Sequence, residues 1–305
     1  MNGLIMGTTF EVTLNQQLSQ SQFESLSKSV SKRLNTINGR MSTYREDSEI
    51  SRFNRSQSTN WFPVSKSTAA VVTQAMEIHR FSKGAFDITA SPLIDLWGFG
   101  PQGLPSSPPG DEVIQQTLKR VGSASLQARI NPPALQKANR LLQLDLSGIA
   151  KGYAVDEVIA LLESSGIRNA LVEIGGELRA IGQKADGSPW RIGIESPAGG
   201  IYRNLTLRNE ALATSGDYRA YFTTDGQQFS HLIDPRLGRP VRHKVASVSV
   251  LSCNCLEADA WATALMVLPL DQGKEIAEDL GMSVLWILKE GNGFEEIGVG
   301  KFQGE

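Results

Sequence analysis

The sequence predicts an α+β protein, with mixed or antiparallel sheets and packed helices, and three observations lead there. Strand-like and helix-like segments intermix without the steady βαβ alternation of a doubly wound sheet. Short alternating segments recur in the later half, at Trp190 to Glu195, Leu205 to Arg208 and Val245 to Leu251. The 305 residues, 40% hydrophobic and 20% charged, have ordinary globular composition and suffice for one large core. One domain over 1–305 is expected, two intimately fused lobes being allowed, since no repeat or low-complexity tract divides the chain.

In chain order, GTTFEVTL (Gly7 to Leu14) alternates like a half-buried strand. Ser19 to about Ile37 has helical spacing through Phe23, Leu26, Val30, Leu34 and Ile37, and Thr68 to Phe81 is a second helix. Prolines 101, 105, 108 and 109 mark Gly98 to Gly110 as a surface loop, and Asp111 to Val121 as the short helix after it. LQLDLSG, from Leu142 to Gly148, reads as a strand that runs into a helix from Ile149 to Ser165, stopped by Gly166. Asn169 to Ile174 returns as a strand. A helix starts near Leu256, with Asn254 as N-cap and Glu257 three positions on. Asp271 to Leu280 and Ser283 to Leu288 close the chain as helix and strand.

The formal net charge of -2 excludes the basic footprint of a nucleic-acid binder, and no basic amphipathic helix suits a membrane surface. No apolar run reaches the roughly 18 residues that span a bilayer. The first residues lack the basic and apolar regions of a signal peptide. Cys253 and Cys255, one residue apart, suit neither a disulfide nor a complete metal site, so two buried thiols are expected.

Five segments look chemical. In EADAWATAL, Asp259 and Thr263 are four apart and share one helix face among small and apolar neighbours. A buried carboxylate there needs compensation, and Mg2+ with one carboxylate, a hydroxyl and carbonyl or phosphate oxygens would give it. The plain alternative is an Asp helped by the helix dipole, with Thr263 bonded back to a carbonyl. In DLSGIAKGYA, Gly148 permits a tight turn before a helix whose free N–H groups form an anion site, to which Lys151 adds a donor. GAFDIT, with Pro92 and LWGFG after it, suggests a pocket for a flat ring, or a satellite core cluster. In SHLIDP, His231 is a candidate proton acceptor, with Asp234 setting its tautomer or the loop shape; a structural histidine is the alternative. MSTYREDSEISRFN is too polar for core, and its Tyr44 could lie on an aromatic ligand.

Taken in order, these segments, with Met6-Gly7-Thr8, NALVEIGGELRAIG and ATSGDY, resemble the ApbE family of FAD:protein FMN transferases over most of the chain. The resemblance implies a single compact ApbE-like (T-fold-like) unit. It implies a reaction that cleaves FAD and leaves FMN phosphoester-linked to a threonine of an acceptor protein, with AMP released. Acceptors in the family include subunits of Nqr- and Rnf-type electron-transfer complexes, and relatives work in the bacterial periplasm, often lipid-anchored. Carried over by position, Asp259, Thr263 and the carbonyl of Gly148 would bind Mg2+. Met6, Tyr44, Ala85, Phe86, Asp87, Asp145, Lys151 and Ile233 would bind FAD, and His231 would be the base for the acceptor threonine. Relatives carry Thr or Ala where Gly148 stands, a change that a carbonyl ligand survives, and some carry Glu where Lys151 stands. An FAD pyrophosphatase yielding FMN and AMP, or a non-catalytic FAD-binding protein, would use the same residues.

Overall fold

A computed structural model describes the chain except for residues 101–102, 104–106, 218–220, 225–226 and 304–305. Pro101 and Pro105 of the proline-rich loop and Tyr218 of ATSGDY lie outside the described residues. Eight strands build the main sheet: β1 (Asn2–Ile5), β2 (Thr8–Leu14), β3 (Ala170–Ile174), β4 (Glu177–Ile181), β5 (Glu210–Gly216), β6 (Val245–Ser252), β7 (Ser283–Glu290) and β8 (Gly293–Val299). Each lies beside the next in chain order, and every pairing is antiparallel. Eight helices fill the connections: α1 (Gln20–Met41), α2 (Glu49–Arg55), α3 (Lys66–Phe81), α4 (Ser91–Leu96), α5 (Asp111–Leu118), α6 (Ala150–Ser164), α7 (Cys255–Val267) and α8 (Leu270–Asp279). The α+β expectation holds, with antiparallel sheets throughout the described residues.

Both faces of the sheet are buried at β6 and β7, which is why Ser283 to Leu288 reads as a nearly unbroken apolar run. On β7, Val284, Trp286 and Leu288 enter the main core with α6 and α7. Leu285 and Ile287 point the other way, against Trp190, Ile192, Ile194 and Leu207 of the hairpin Trp190–Glu195/Ile201–Leu207. The main core draws on both halves of the chain, from Val12 through Val158 to Val299. None of the described helices is long and apolar enough to cross a membrane.

Local signals held where a cap or a period carried them. Ser19 closes a capping box on α1, and Asn254 accepts from the Glu257 N–H at the start of α7. Gly166, at φ 83, ends α6. Three expectations need correction. LQLDLSG alternates as predicted, with Leu142, Leu144 and Leu146 buried, yet it pairs with no strand. Its backbone bonds go elsewhere, from the Leu144 N–H to Asn54 Oδ1 at 2.8 Å and from the Asp145 N–H to the Ile88 carbonyl at 2.7 Å. The segment from Met41 to Asn54 is not all surface: α2 folds from it and buries Ile50 and Phe53, while Ser48 caps the helix. Of the two thiols only Cys255 is buried, because β6 ends at Ser252 and a helix begins between them.

A lysine holds the segment that leads to Asp145. Lys137, fully buried, donates from Nζ to the carbonyls of Phe53 at 3.1 Å, Asn54 at 3.3 Å and Leu142 at 3.0 Å. Burial pushes its pKa from the ordinary 10.5 down to about 8. Between those two pH values the unfolded chain holds the proton that the folded chain has released, so this group's contribution to stability rises with pH across that window. It is lost as pH falls through about 8. We expect the Tm gap between wild type and Lys137→Met to widen from pH 7.5 to pH 10. Parallel melting curves over that range would argue that Lys137 titrates at its solution pKa.

Candidate functional site

Four connections converge at one end of the sheet. The turn after α3 brings Ala85, Phe86 and Asp87; the loop before α6 brings Asp145 and Gly148; the 231–235 loop brings His231 and Ile233; and α7 brings Asp259 and Thr263. With Lys151 from α6 they border a cavity of about 330 Å³. Met6 and Tyr44 border an adjoining cavity of about 180 Å³, and the two share Asp145, Ser147 and Lys151. Every residue that the resemblance assigns to the metal, to FAD or to catalysis therefore lies along one cleft.

At its floor, Asp259 is 3% exposed. Its Oδ2 accepts from the Gly152 N–H at 2.9 Å, and its Oδ1 lies 3.7 Å from Lys151 Nζ. The expectation of free N–H groups at the start of α6 is corrected at three of them: Ile149 and Ala150 N–H both bond to the Leu146 carbonyl, and the Gly152 N–H is taken by Asp259. The anion that this helix start attracts is a carboxylate of the protein itself. Burial works to depress the Lys151 ammonium, but Asp259 and Glu177, 3.4 Å away, outweigh it and hold its pKa above the ordinary value.

Gly148 sits against Thr263: a Cβ added to it would lie 3.2 Å from Thr263 Oγ1 and 3.2 Å from Phe86. Ser215 Oγ, from the end of β5, is 3.3 Å from the same hydroxyl. Asp259, Thr263 and Ser215 thus border one cavity, with Glu177 a second buried carboxylate on its wall. Among the described residues no cluster of three His, Cys, Asp or Glu exists. A cation caged wholly by acidic or imidazole side chains is therefore not what the described site offers. Mg2+ with one carboxylate and substrate oxygens is a different arrangement, and the donor set fits it.

Asp87 borders the cavity and is also engaged within its own turn. Its Oδ1 accepts from the Thr89 N–H at 2.8 Å, Thr89 Oγ1 at 2.6 Å and Ser123 Oγ at 2.8 Å, and His79 Nδ1 stands 3.3 Å from Oδ2. The carboxylate braces the turn that presents Ala85 and Phe86. Trp97 of LWGFG joins a satellite core with Leu93, Ile114, Phe229 and Ile233, so the cluster reading applies to it. Asp234 shapes its loop: both its oxygens take the guanidinium of Arg236, at 2.9 and 2.7 Å. His231 meets Phe99 edge-on with ring centroids 6.2 Å apart, and Phe99 in turn offers its carbonyl, 3.5 Å away, to the Tyr44 hydroxyl.

Met6 adopts φ 51 and Gly7 φ 76 in the two-residue turn between β1 and β2. Asn-Gly is the common solution for such a turn. A methionine in the left-handed region costs about 1 kcal/mol, strain of the kind kept at ligand sites.

A model of the ApbE family matches residues 6–286. The chain belongs to the ApbE family. It is 42% identical to an FAD:protein FMN transferase of Vibrio cholerae, over 99% of this chain and 91% of that protein. To an FAD:protein FMN transferase of Escherichia coli it is 37% identical, over 97% and 85% of the two chains. The solved flavin transferase ApbE from Vibrio cholerae has a TM-score of 0.91 to this structure at 41% identity, covering 99% of this chain and 97% of that one. An ApbE protein from Thermotoga maritima, 28% identical, has a TM-score of 0.88 over 99% and 97% of the chains. This member of the ApbE family also brings residues to the cleft that sequence reasoning passed over. Glu177, 3% exposed, follows Gly175 and Gly176, both at positive φ. That paired glycine turn was its one visible signal. Thr214 and Ser215 lie in ATSGD with no local pattern to mark them.

Proposed function

We propose that the chain is an FAD:protein FMN transferase that works with Mg2+ and acts on a threonine hydroxyl. The observation that carries this reading is that Asp259, Thr263 and His231 border the same cavity, which continues past Lys151 to Met6 and Tyr44. FAD is long enough to need both parts of the cleft, its ring system and its diphosphate in different surroundings.

In the reaction, the threonine oxygen attacks the FMN phosphorus and the bond from that phosphorus to the bridging oxygen breaks. FMN stays on the protein as a phosphoester, and AMP departs with the bridging oxygen. Asp259, Thr263 and the Gly148 carbonyl would hold Mg2+, which supplies charge neutralisation at the diphosphate. Lys151 adds positive charge beside it. His231 takes the threonine proton, since a neutral hydroxyl is a weak nucleophile. Tyr44 and Met6 seat the aromatic portion, and Ala85, Phe86, Asp87, Asp145 and Ile233 line the path between.

The test is incubation with FAD, Mg2+ and a candidate acceptor domain, read by in-gel flavin fluorescence, AMP release and an FMN-sized mass increment on threonine. FAD hydrolysed to free FMN and AMP with every acceptor would make the protein a pyrophosphatase. Stoichiometric FAD with no AMP would make it a binding protein. For His231→Ala we expect FAD affinity retained and transfer lowered by about 10²–10⁴-fold. Wild-type transfer in that variant would remove the base. From the family resemblance we also propose that the enzyme works in the bacterial periplasm on Nqr- or Rnf-type subunits, as relatives do, many of them lipid-anchored. Cell fractionation, with a search for flavinylated proteins, tests this.

A further inference from the structure

The charges in the cavity are one half of a larger arrangement. Lys151 and Asp156 both belong to α6, while Glu177 and Arg179 are two apart on β4 and share one strand face. Lys151 Nζ stands 3.4 Å from Glu177, and Arg179 donates to Asp156 at 2.6 Å. Helix and strand are thus joined by two ion pairs of opposite sense. Each α6 charge also reaches α7. Lys151 lies 3.7 Å from Asp259 Oδ1. Asp156 accepts from the N–H groups of Cys255 at 3.0 Å and Leu256 at 2.9 Å, the first two of α7, and Asn254 takes the third. Between the two pairs Gly152 lets the helices touch: a Cβ there would lie 2.2 Å from the Cys255 carbonyl oxygen.

The first pair lies in the cleft. The second borders neither cavity, and no step of the reaction uses it. We propose that Asp156 and Arg179 are positioning residues that set the rotation and axial register of α7, so that Asp259 and Thr263 meet Gly148. The inference rests on the Mg2+ reading above. Its physical basis lies in α7 itself, which is buried on nearly all sides, with Ala258, Ala260, Trp261, Ala262, Ala264 and Leu265 around its circumference. A helix apolar all round has no preferred face, so apolar packing specifies its orientation weakly. Directional hydrogen bonds from a charged acceptor do specify it. Asp156 grips the end one turn before Asp259, and Arg179 holds Asp156 against the sheet.

The test is isothermal titration of Mg2+ into the FAD-loaded protein, beside the Mg2+ dependence of AMP release, for wild type, Asp156→Asn, Arg179→Met and Arg179→Lys. Glu157→Gln serves as control, because it breaks a neighbouring α6 ion pair, with Arg33, that does not touch α7. We expect Asp156→Asn and Arg179→Met to weaken Mg2+ binding by about 10- to 100-fold, the usual effect of losing a residue that orients a ligand. Turnover at saturating Mg2+ should largely recover, Arg179→Lys should regain part of the affinity, and the control should match wild type. Should Asp156→Asn fail to fold, the two Arg179 variants carry the test. Wild-type Mg2+ affinity in folded Asp156→Asn and Arg179→Met would overturn the inference alone. A wild-type protein that binds no Mg2+ would overturn the metal reading and the inference together.

Discussion

Asp259→Asn is expected to lower FMN transfer by about a thousandfold, with no recovery in excess Mg2+. The substitution keeps the shape and an acceptor oxygen for the Gly152 N–H, 2.9 Å from the native carboxylate. What it removes is the negative charge beside Lys151, in the cavity that Thr263, Ser215 and Gly148 also border. A catalytic metal contributes several kcal/mol of charge stabilisation, and each 1.36 kcal/mol is tenfold in rate, which gives the estimate of about a thousandfold. Asp259→Ala would confuse the result, because it also strips a buried backbone donor of its partner. The measurement is AMP release across a Mg2+ titration. Turnover within a few-fold of wild type would place the metal elsewhere.

Gly152→Ala should be strongly damaging for the addition of a single methyl. Its Cβ would lie 2.2 Å from the Cys255 carbonyl oxygen, 2.7 Å from that carbonyl carbon and 2.8 Å from Asp259 Cβ. Two of those atoms are backbone, which cannot turn aside as a side-chain tip can. Either α6 and α7 separate or one of them bends, at a cost of about 3 kcal/mol or more. For a chain of this size that is a fall in Tm of about 5 °C or more. Opening this contact also moves the Gly152 N–H from Asp259, so Mg2+ affinity should fall with the melting point. Thermal unfolding by circular dichroism reads the first effect. A wild-type Tm would show that the two helices have slack where the structure places them in contact.

How far the sequence was legible depended on the range of each interaction. Asp259 and Thr263 could be paired from spacing, because a helical turn brings residues four apart together in any helix. Ser19, Asn254 and Gly166 marked helix ends, since caps act within three or four residues. LQLDLSG shows where such reasoning stops. Alternation correctly told which side chains are buried, but the backbone partners, Asn54 and Ile88, lie 90 and 57 residues away from Leu144 and Asp145. Buried Lys137 could not be anticipated, because its three carbonyl partners come from two other segments. For Asp234 and Asp87 the partners Arg236 and Thr89 lie two residues on and were within local reach, whereas Ser123, 36 residues from Asp87, was not.

By itself, then, the sequence determined the α+β class, most helix boundaries and the oxygen-rich face of α7, all set by periodicity and capping within a few residues. Tertiary structure alone decided that Gly148 comes to Thr263, that Gly152 comes to Cys255, and that Asp259 takes the donor at the start of α6. It also decided that Glu177, Asp156 and Arg179 belong to one arrangement with them. Those contacts join parts of the chain up to 115 residues apart, the distance from Gly148 to Thr263. Their geometry follows from how α6 and α7 pack on each other and on the sheet, and no local pattern carries that information.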